Sequence, residues 1–244
     1  MKPISINEIN GLGRTKQYFQ DCYLVSSIGA LANSNNGQKI LQKNIAHTDN
    51  GYRIKFQNVK GQAEDYFVTQ QEIEELVYMD KYMNPIPLDE RYPHNPIIKA
   101  IEVAMNKLLK KHPSKKSITC RLANCNEKFE FNKPSNFLNM FTGEKPIILN
   151  EGNIYRTLKS KKEETTKLLN EMSETKDNSF VAGTSILLDR RLNDFHCYSI
   201  KSVNKDTQEL ELFDHRHQNI IKLTYEEAIK KLKFFVGYFE NGLK

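Results

Sequence analysis

The sequence predicts an α+β fold on three patterns: an apolar helical run directly after Cys22, a second one opened by Asn95-Pro96, and a C-terminal portion of successive strand-like runs. The helical patterns concentrate in 1–145 and the strand patterns in 146–244. The chain therefore reads as a mainly helical part followed by a mainly antiparallel one. Its 244 residues suffice for a substantial core or two packed lobes without a disulfide-stapled scaffold.

Leu24, Val25, Ile28, Leu31 and Ala32 recur at helical spacing, and Ser34-Asn35-Asn36-Gly37 supplies a stop. Tyr52-Arg53-Ile54-Lys55-Phe56 alternates apolar and polar residues, as does Asp65-Tyr66-Phe67-Val68-Thr69 beyond Gly61, which predicts a hairpin. Asn95 caps and Pro96 opens the next helix, whose buried face is Ile97, Ile98, Ile101, Ala104, Met105 and Leu108. The lysines that follow and His112-Pro113-Ser114 end it. A short helix through Phe137-Leu138-Asn139-Met140-Phe141 stops at Gly143. Another runs from Tyr155 or Ser160 to Met172, ahead of the polar loop Ser173 to Asn178. Strands are expected over Phe180 to Leu188, Cys197 to Val203, Glu209 to Phe213 and Phe234 to Phe239. Thr224 and Glu227 form a capping box for one helix among them.

Composition narrows the function classes. The start, Met1 to Asn7, holds no apolar stretch of signal-peptide length, and no segment approaches the roughly 18 apolar residues of a membrane span, so a protein without a membrane span is expected. Cys22, Cys120, Cys125 and Cys197 show no framework spacing, which fits free thiols in a reducing compartment. The net charge of +6 comes with lysine clusters at Lys107 to Lys116 and Lys159 to Lys162. These lack interleaved aromatics or a reading helix, so no nucleic-acid partner is expected. The richness in lysine, asparagine and isoleucine fits an AT-rich genome. The expected location is the cytoplasm, or a host cell reached from a bacterium without a Sec signal.

The chemistry starts at Cys22. A cysteine in the first turn of a helix faces free N–H groups and the positive end of the dipole, which favour thiolate over thiol. His196 stands where the Cys197 strand begins, able to exchange a proton with that thiol. Asp214 follows the neighbouring strand, where hairpin pairing brings it beside His196 to fix the imidazole tautomer. His215 and His217, or Cys120 and Cys125, are possible metal donors. Neither pair has zinc spacing, so no metal and no cofactor is expected.

In order along the chain, Asp21-Cys22-Tyr23-Leu24, Asn95 to Leu109, Phe137 to Gly143, Ala182-Gly183-Thr184-Ser185, Phe195-His196-Cys197-Tyr198-Ser199-Ile200 and Phe234 to Phe239 resemble segments of the calpain protease core. The resemblance spans nearly the whole chain and implies a papain-like two-lobed cysteine protease fold, with 1–145 carrying the nucleophile and 146–244 the base. It implies Cys22 as nucleophile and His196 as general base and acid. The family places a glutamine six residues before the cysteine as oxyanion donor; here Lys16 stands there and Gln17 lies one place closer. The family's asparagine before Pro-Trp-Gly is replaced by Phe213-Asp214-His215-Arg216-His217, leaving Asp214 as third residue and Asn219 as the weaker alternative. Calcium activation, associated with many calpains, is not carried over, because no set of oxygen ligands matches. The expected activity is a calcium-independent cysteine endopeptidase acting on protein or peptide substrates, in the setting of a bacterial effector. The alternatives are an acyltransferase, deamidase or ubiquitin-like isopeptidase using the same thioester, or an inactive protein-binding module.

Overall fold

The computed structural model describes residues 1–17, 22–57, 61–76, 95–111, 133–149, 158–175, 177–184 and 191–239. Asp21, residues 58–60 ahead of Gly61, the His112-Pro113-Ser114 stop, Cys120, Cys125, Tyr155 and Ser185 to Leu188 lie outside the described residues. The described residues include eight helices and ten strands, and the strands form two antiparallel sheets, so the α+β expectation holds. None of these helices is long and apolar enough to cross a membrane.

Strand β1 (Lys2–Pro3) leads into α1 (Ile6–Leu12), which Ser5 and Glu8 start with a reciprocal capping box. Helix α2 (Cys22–Ala32) begins at Cys22 itself and buries every residue after it. Ser34-Asn35-Asn36-Gly37 ends α2 but also starts α3 (Asn35–Asn44), which the sequence reading missed. Ser34 Oγ accepts from Gly37 N at 3.0 Å, and the Asp177 carboxylate accepts from Asn35 N and Asn36 N at 2.6 and 3.1 Å. Both caps satisfy N–H groups that a helix start leaves open.

Strand β2 (Ile45–Thr48) joins β1 to the predicted hairpin, β3 (Gly51–Gln57) and β4 (Ala63–Thr69), in a sheet of order β1-β2-β3-β4. The first part of the chain is thus less purely helical than expected, because β1 and β2 carry too few residues to show alternation. Tyr52, Ile54 and Phe56 of β3 face inward, and Ile54 pairs with Tyr66 of β4. Against this sheet lie α4 (Gln70–Glu74), α5 (Pro96–Lys111) and α6 (Pro134–Thr142). Asn95 Oδ1 accepts from Ile97 N at 2.9 Å, and all six apolar residues assigned to the inner face of α5 are buried. Gly143, at φ 81°, ends α6 in the left-handed conformation that a side chain would strain.

The second sheet follows β5 (Ile147–Leu149) and α7 (Leu158–Glu174) with β6 (Asn178–Thr184), β7 (Cys197–Asn204), β8 (Glu209–Asp214), β9 (Asn219–Thr224), α8 (Tyr225–Lys231) and β10 (Leu232–Phe239). Its order is β5-β10-β6-β7-β8-β9. Both faces of its middle strands are buried. Phe180, Ala182, Tyr198, Ile200 and Leu212 pack against Leu168, Leu169 and Met172 of α7 and Ala228 of α8. On the opposite face, Val181, Cys197, Val236 and Tyr238 share a core with Leu24, Val25 and Ile28 of α2. That second cluster also takes in α5, α6 and the β3–β4 pair, so one core runs continuously across residue 145. Helix α2 is its centre and carries Cys22 to the sheet.

Candidate active site

Small residues let α2 approach β7 closely. Ser26, Ser27 and Gly29 are buried, and a Cβ on Gly29 would stand 2.5 Å from His215 Nε2 and 2.6 Å from Ser199 Oγ. Ser26 and Ser27 turn their hydroxyls back onto the carbonyls of Cys22 and Tyr23, which satisfies them inside the helix. Helix and strand run side by side in the same direction. Ser199 Oγ lies 2.8 Å from Ser26 O, and Lys201 Nζ reaches Asn33 Oδ1 at 2.7 Å further along. Four residues back along the helix and two back along the strand are displacements of ~6 and ~6.6 Å. That alignment brings Cys22, at the N-terminal end of α2, to Cys197 and His196, at the N-terminal end of β7.

His196 is held on several sides. Its backbone N–H donates to Thr184 Oγ1 at 3.0 Å and its carbonyl accepts from Thr184 N at 2.9 Å, so β6 fixes the main chain. The ring lies edge-on to Tyr198 with centroids 4.8 Å apart. From Nε2 it donates to Asp214 Oδ1 at 3.3 Å, which leaves Nδ1 for the Cys22 thiol within hydrogen-bonding reach. Phe195, just before it, adopts φ 48° although it is bulky and exposed, a conformation that costs energy and needs the surrounding bonds to hold it.

Asp214 is the last residue of β8 and is almost wholly buried. Its Oδ1 also accepts from Arg216 N at 2.8 Å, and its Oδ2 accepts from His217 Nδ1 at 2.8 Å and Asn193 Nδ2 at 3.2 Å. Burial alone would raise its pKa, but the hydrogen bonds from His196 and His217 hold it far below the carboxylate range. Burial likewise opposes the charged form of His196, and Asp214 and Cys22 overcome it, lifting the imidazole to about 9. Cys22 sits well below the ordinary thiol range: the hydrogen bond from Cys197 is the largest influence, burial opposes it, and the His196 hydrogen bond and charge add to the lowering. Together the three groups favour a thiolate beside an imidazolium beside a carboxylate.

Other sequence candidates fall elsewhere. Asn219 pairs with Asp214 across the β8–β9 turn but is exposed, and the His196 contact goes to Asp214. Gln17 is buried, and its N–H donates to His215 O at 2.8 Å, which ties its strap to the turn directly after Asp214. The two histidines weighed as metal donors separate. His215 points inward, donating from Nδ1 to Thr15 O at 2.9 Å with Nε2 2.7 Å from Ser199 Oγ, whereas His217 lies half-exposed on Asp214. Among the described residues no group of three or more His, Cys, Asp or Glu could hold a metal ion.

Two participants escaped the sequence reading. Cys197 lies on the face of its strand opposite Tyr198, and its pairing with Cys22 requires knowing that α2 covers that face. Asn193 carries no motif, since it reaches Asp214 only because residues 191–196 curl back before β7. A scan of the chain against protein-family models returned no match, and neither did a comparison with curated proteins.

Proposed function

We propose that the chain is a cysteine peptidase of papain-like, calpain-type arrangement, in which Cys22 attacks the peptide carbonyl, His196 moves the proton and Asp214 holds His196. The observation that carries this reading is the line of hydrogen bonds from Asp214 through His196 to a half-buried cysteine at a helix N-terminus. A thiol used only as core would not need a histidine kept protonated beside it by a buried carboxylate. The two-lobed division at residue 145 belongs to the same proposal, with the substrate lying where α2 and the entrance of β7 meet.

In this mechanism the Cys22 thiolate adds to the carbonyl carbon. The developing oxyanion is met by the Cys22 N–H at the open end of α2 and by the Gln17 amide. His196 then protonates the departing amine, leaving a thioester on Cys22. Deprotonated by that step, His196 takes a proton from water, which attacks the thioester and frees the acid. Asp214 keeps the proton on Nε2 throughout, so that Nδ1 remains the nitrogen that works.

Incubating a proteome-derived peptide library with the full chain, and with Cys22→Ala as control, tests the reading by mass spectrometry. New peptide termini that depend on Cys22 are expected. Acyl transfer to added amines or conversion of glutamine to glutamate without chain cleavage would move the assignment to the transferase or deamidase alternatives. No product of any kind, from protein whose Cys22 still alkylates at neutral pH, would contradict the enzyme reading.

A further inference from the structure

The thiol beside Cys22 has no part in that mechanism beyond its hydrogen bond, yet its place is unusual for a core cysteine. Cys197 is buried, follows His196 directly, and faces α2 rather than α7. Helix and strand are unusually close on this line. A serine Oγ lies only ~2.4 Å from its Cα by covalent geometry, so the 2.8 Å between Ser199 Oγ and Ser26 O puts the Ser26 carbonyl oxygen within about 5 Å of the Ser199 Cα. A disulfide forms between thiols whose side chains already meet, and the Cys22 and Cys197 side chains are hydrogen-bonded to each other. One helical turn and two strand residues back, the same close seam holds Cys22 against Cys197, the two cysteines among the described residues, neither of them in a disulfide.

We propose that Cys22 and Cys197 form a reversible oxidation site for hydroperoxides, with Cys22 as the peroxide-reactive thiol and Cys197 as the resolving thiol. In the first step the Cys22 sulfur attacks the terminal oxygen of the hydroperoxide. An S–O bond forms, the O–O bond breaks, and the departing alkoxide or hydroxide takes the proton of the His196 imidazolium. Cys22 is oxidised by two electrons to the sulfenic acid and the hydroperoxide is reduced to an alcohol or water. In the second step the Cys197 sulfur attacks the Cys22 sulfur. The S–S bond forms, the S–O bond breaks, and the hydroxide leaves with the Cys197 proton as water. A dithiol returns both thiols by exchange. While the bridge stands, the nucleophile is blocked, and it is also protected from the irreversible sulfinic and sulfonic stages.

The site requires two adjacent thiols and no peptidase activity, so it stands or falls separately from the proposed function. The test uses the reduced full chain, freed of reductant, treated with hydrogen peroxide at neutral pH, alkylated, and mapped by mass spectrometry without reduction. A Cys22 peptide joined to a Cys197 peptide, lighter by two hydrogens and separated again by dithiothreitol, is expected. Cys197→Ala treated identically should carry sulfinic or sulfonic acid at Cys22 that dithiothreitol does not remove. Wild-type Cys22 that stays reduced, overoxidises without a Cys197 link, or joins Cys120 or Cys125 instead would overturn the proposal. The wild-type map decides by itself, so a poorly folding variant does not weaken it.

Discussion

His196 and His215 lie at the adjoining ends of β7 and β8, only 4% and 1% exposed, yet their imidazoles are pushed in opposite directions. Burial favours the neutral ring in both. At His196 it is overcome by the Asp214 carboxylate and the Cys22 sulfur, which lift the ring to about 9. At His215 burial prevails and the pKa falls to about 4, because its contacts are dipoles, the Thr15 carbonyl and the Ser199 hydroxyl, and the charges of His196 and Lys201 repel a second cation. Both rings touch the seam between α2 and the sheet. At the N-terminal end of α2 that seam carries charge suited to chemistry; at its middle it carries a neutral clamp.

Exchanging the two histidines separately should break the comparison most sharply. His196→Ala removes the base and the cation beside the thiolate, and should lower kcat/KM on a cleavable peptide by about 10²–10⁴-fold. His215→Ala should instead take away one of the two donors to the Thr15 carbonyl, leaving only Gln218 Nε2 at 3.2 Å, and empty a fully buried ring site, costing about 1–3 kcal/mol of unfolding free energy while activity per folded molecule persists. Matched denaturant titrations and turnover assays separate these outcomes.

Asp214→Asn sharpens the charged end. An amide can still orient the ring but supplies no charge, so His196 should lose its proton at lower pH. The alkaline limb of the rate profile, expected near pH 9 in the wild type, should move down by more than one pH unit, read from kcat/KM against pH.

Stability should bend in opposite directions at the two histidines. Folded His196 binds its proton more tightly than the unfolded chain, so its contribution is complete below 6.5 and is lost as pH rises toward about 9. Folded His215 binds its proton more weakly, so the unfolded chain gains protons as pH falls from 6.5 to about 4 and stability falls with it. Asp214, depressed far below 3.8, holds its contribution through that window and loses it only in stronger acid. Urea midpoints measured against pH should lose their alkaline slope in His196→Gln and part of their acid slope in His215→Gln.

Packing effects are next in size. Glycine to alanine in a helix ordinarily gains about 1 kcal/mol; Gly29→Ala should instead cost about 1–3 kcal/mol, since its methyl meets His215 and Ser199 below contact distance. The smallest effect belongs to Phe195→Asn, which tolerates φ 48° better and should gain up to about 1 kcal/mol in denaturant unfolding.

Periodicity and capping made much of this legible. The start of α2 at Cys22, the inner face of α5, the glycine stop after α6 and the capping box of α8 all rest on short-range rules that the residues state directly. The Asp214 contact with His196 was readable because adjacent antiparallel strands bring the end of one beside the start of the next. His215 was not, since the sequence pairs it with His217 as a donor while the fold buries it against Gly29 of α2 and sets its Nδ1 on the carbonyl of Thr15, 200 residues earlier in the segment between α1 and α2. Nor was Asp177, an ordinary loop residue by composition that caps a helix 142 positions away. Long-range partners of single polar residues leave no periodic trace.

The proposed chemistry rests on Cys22 being held toward the thiolate by the Cys197 hydrogen bond and by the His196 imidazolium that Asp214 keeps charged. Its most direct test is the rate of Cys22 alkylation by iodoacetamide against pH, in the wild type and in His196→Ala, followed on the Cys22 peptide by mass spectrometry. The wild-type midpoint should lie well below the ordinary thiol value of ~8.5 and should rise in the variant. A wild-type midpoint near that ordinary value, unmoved by His196→Ala, would contradict the account.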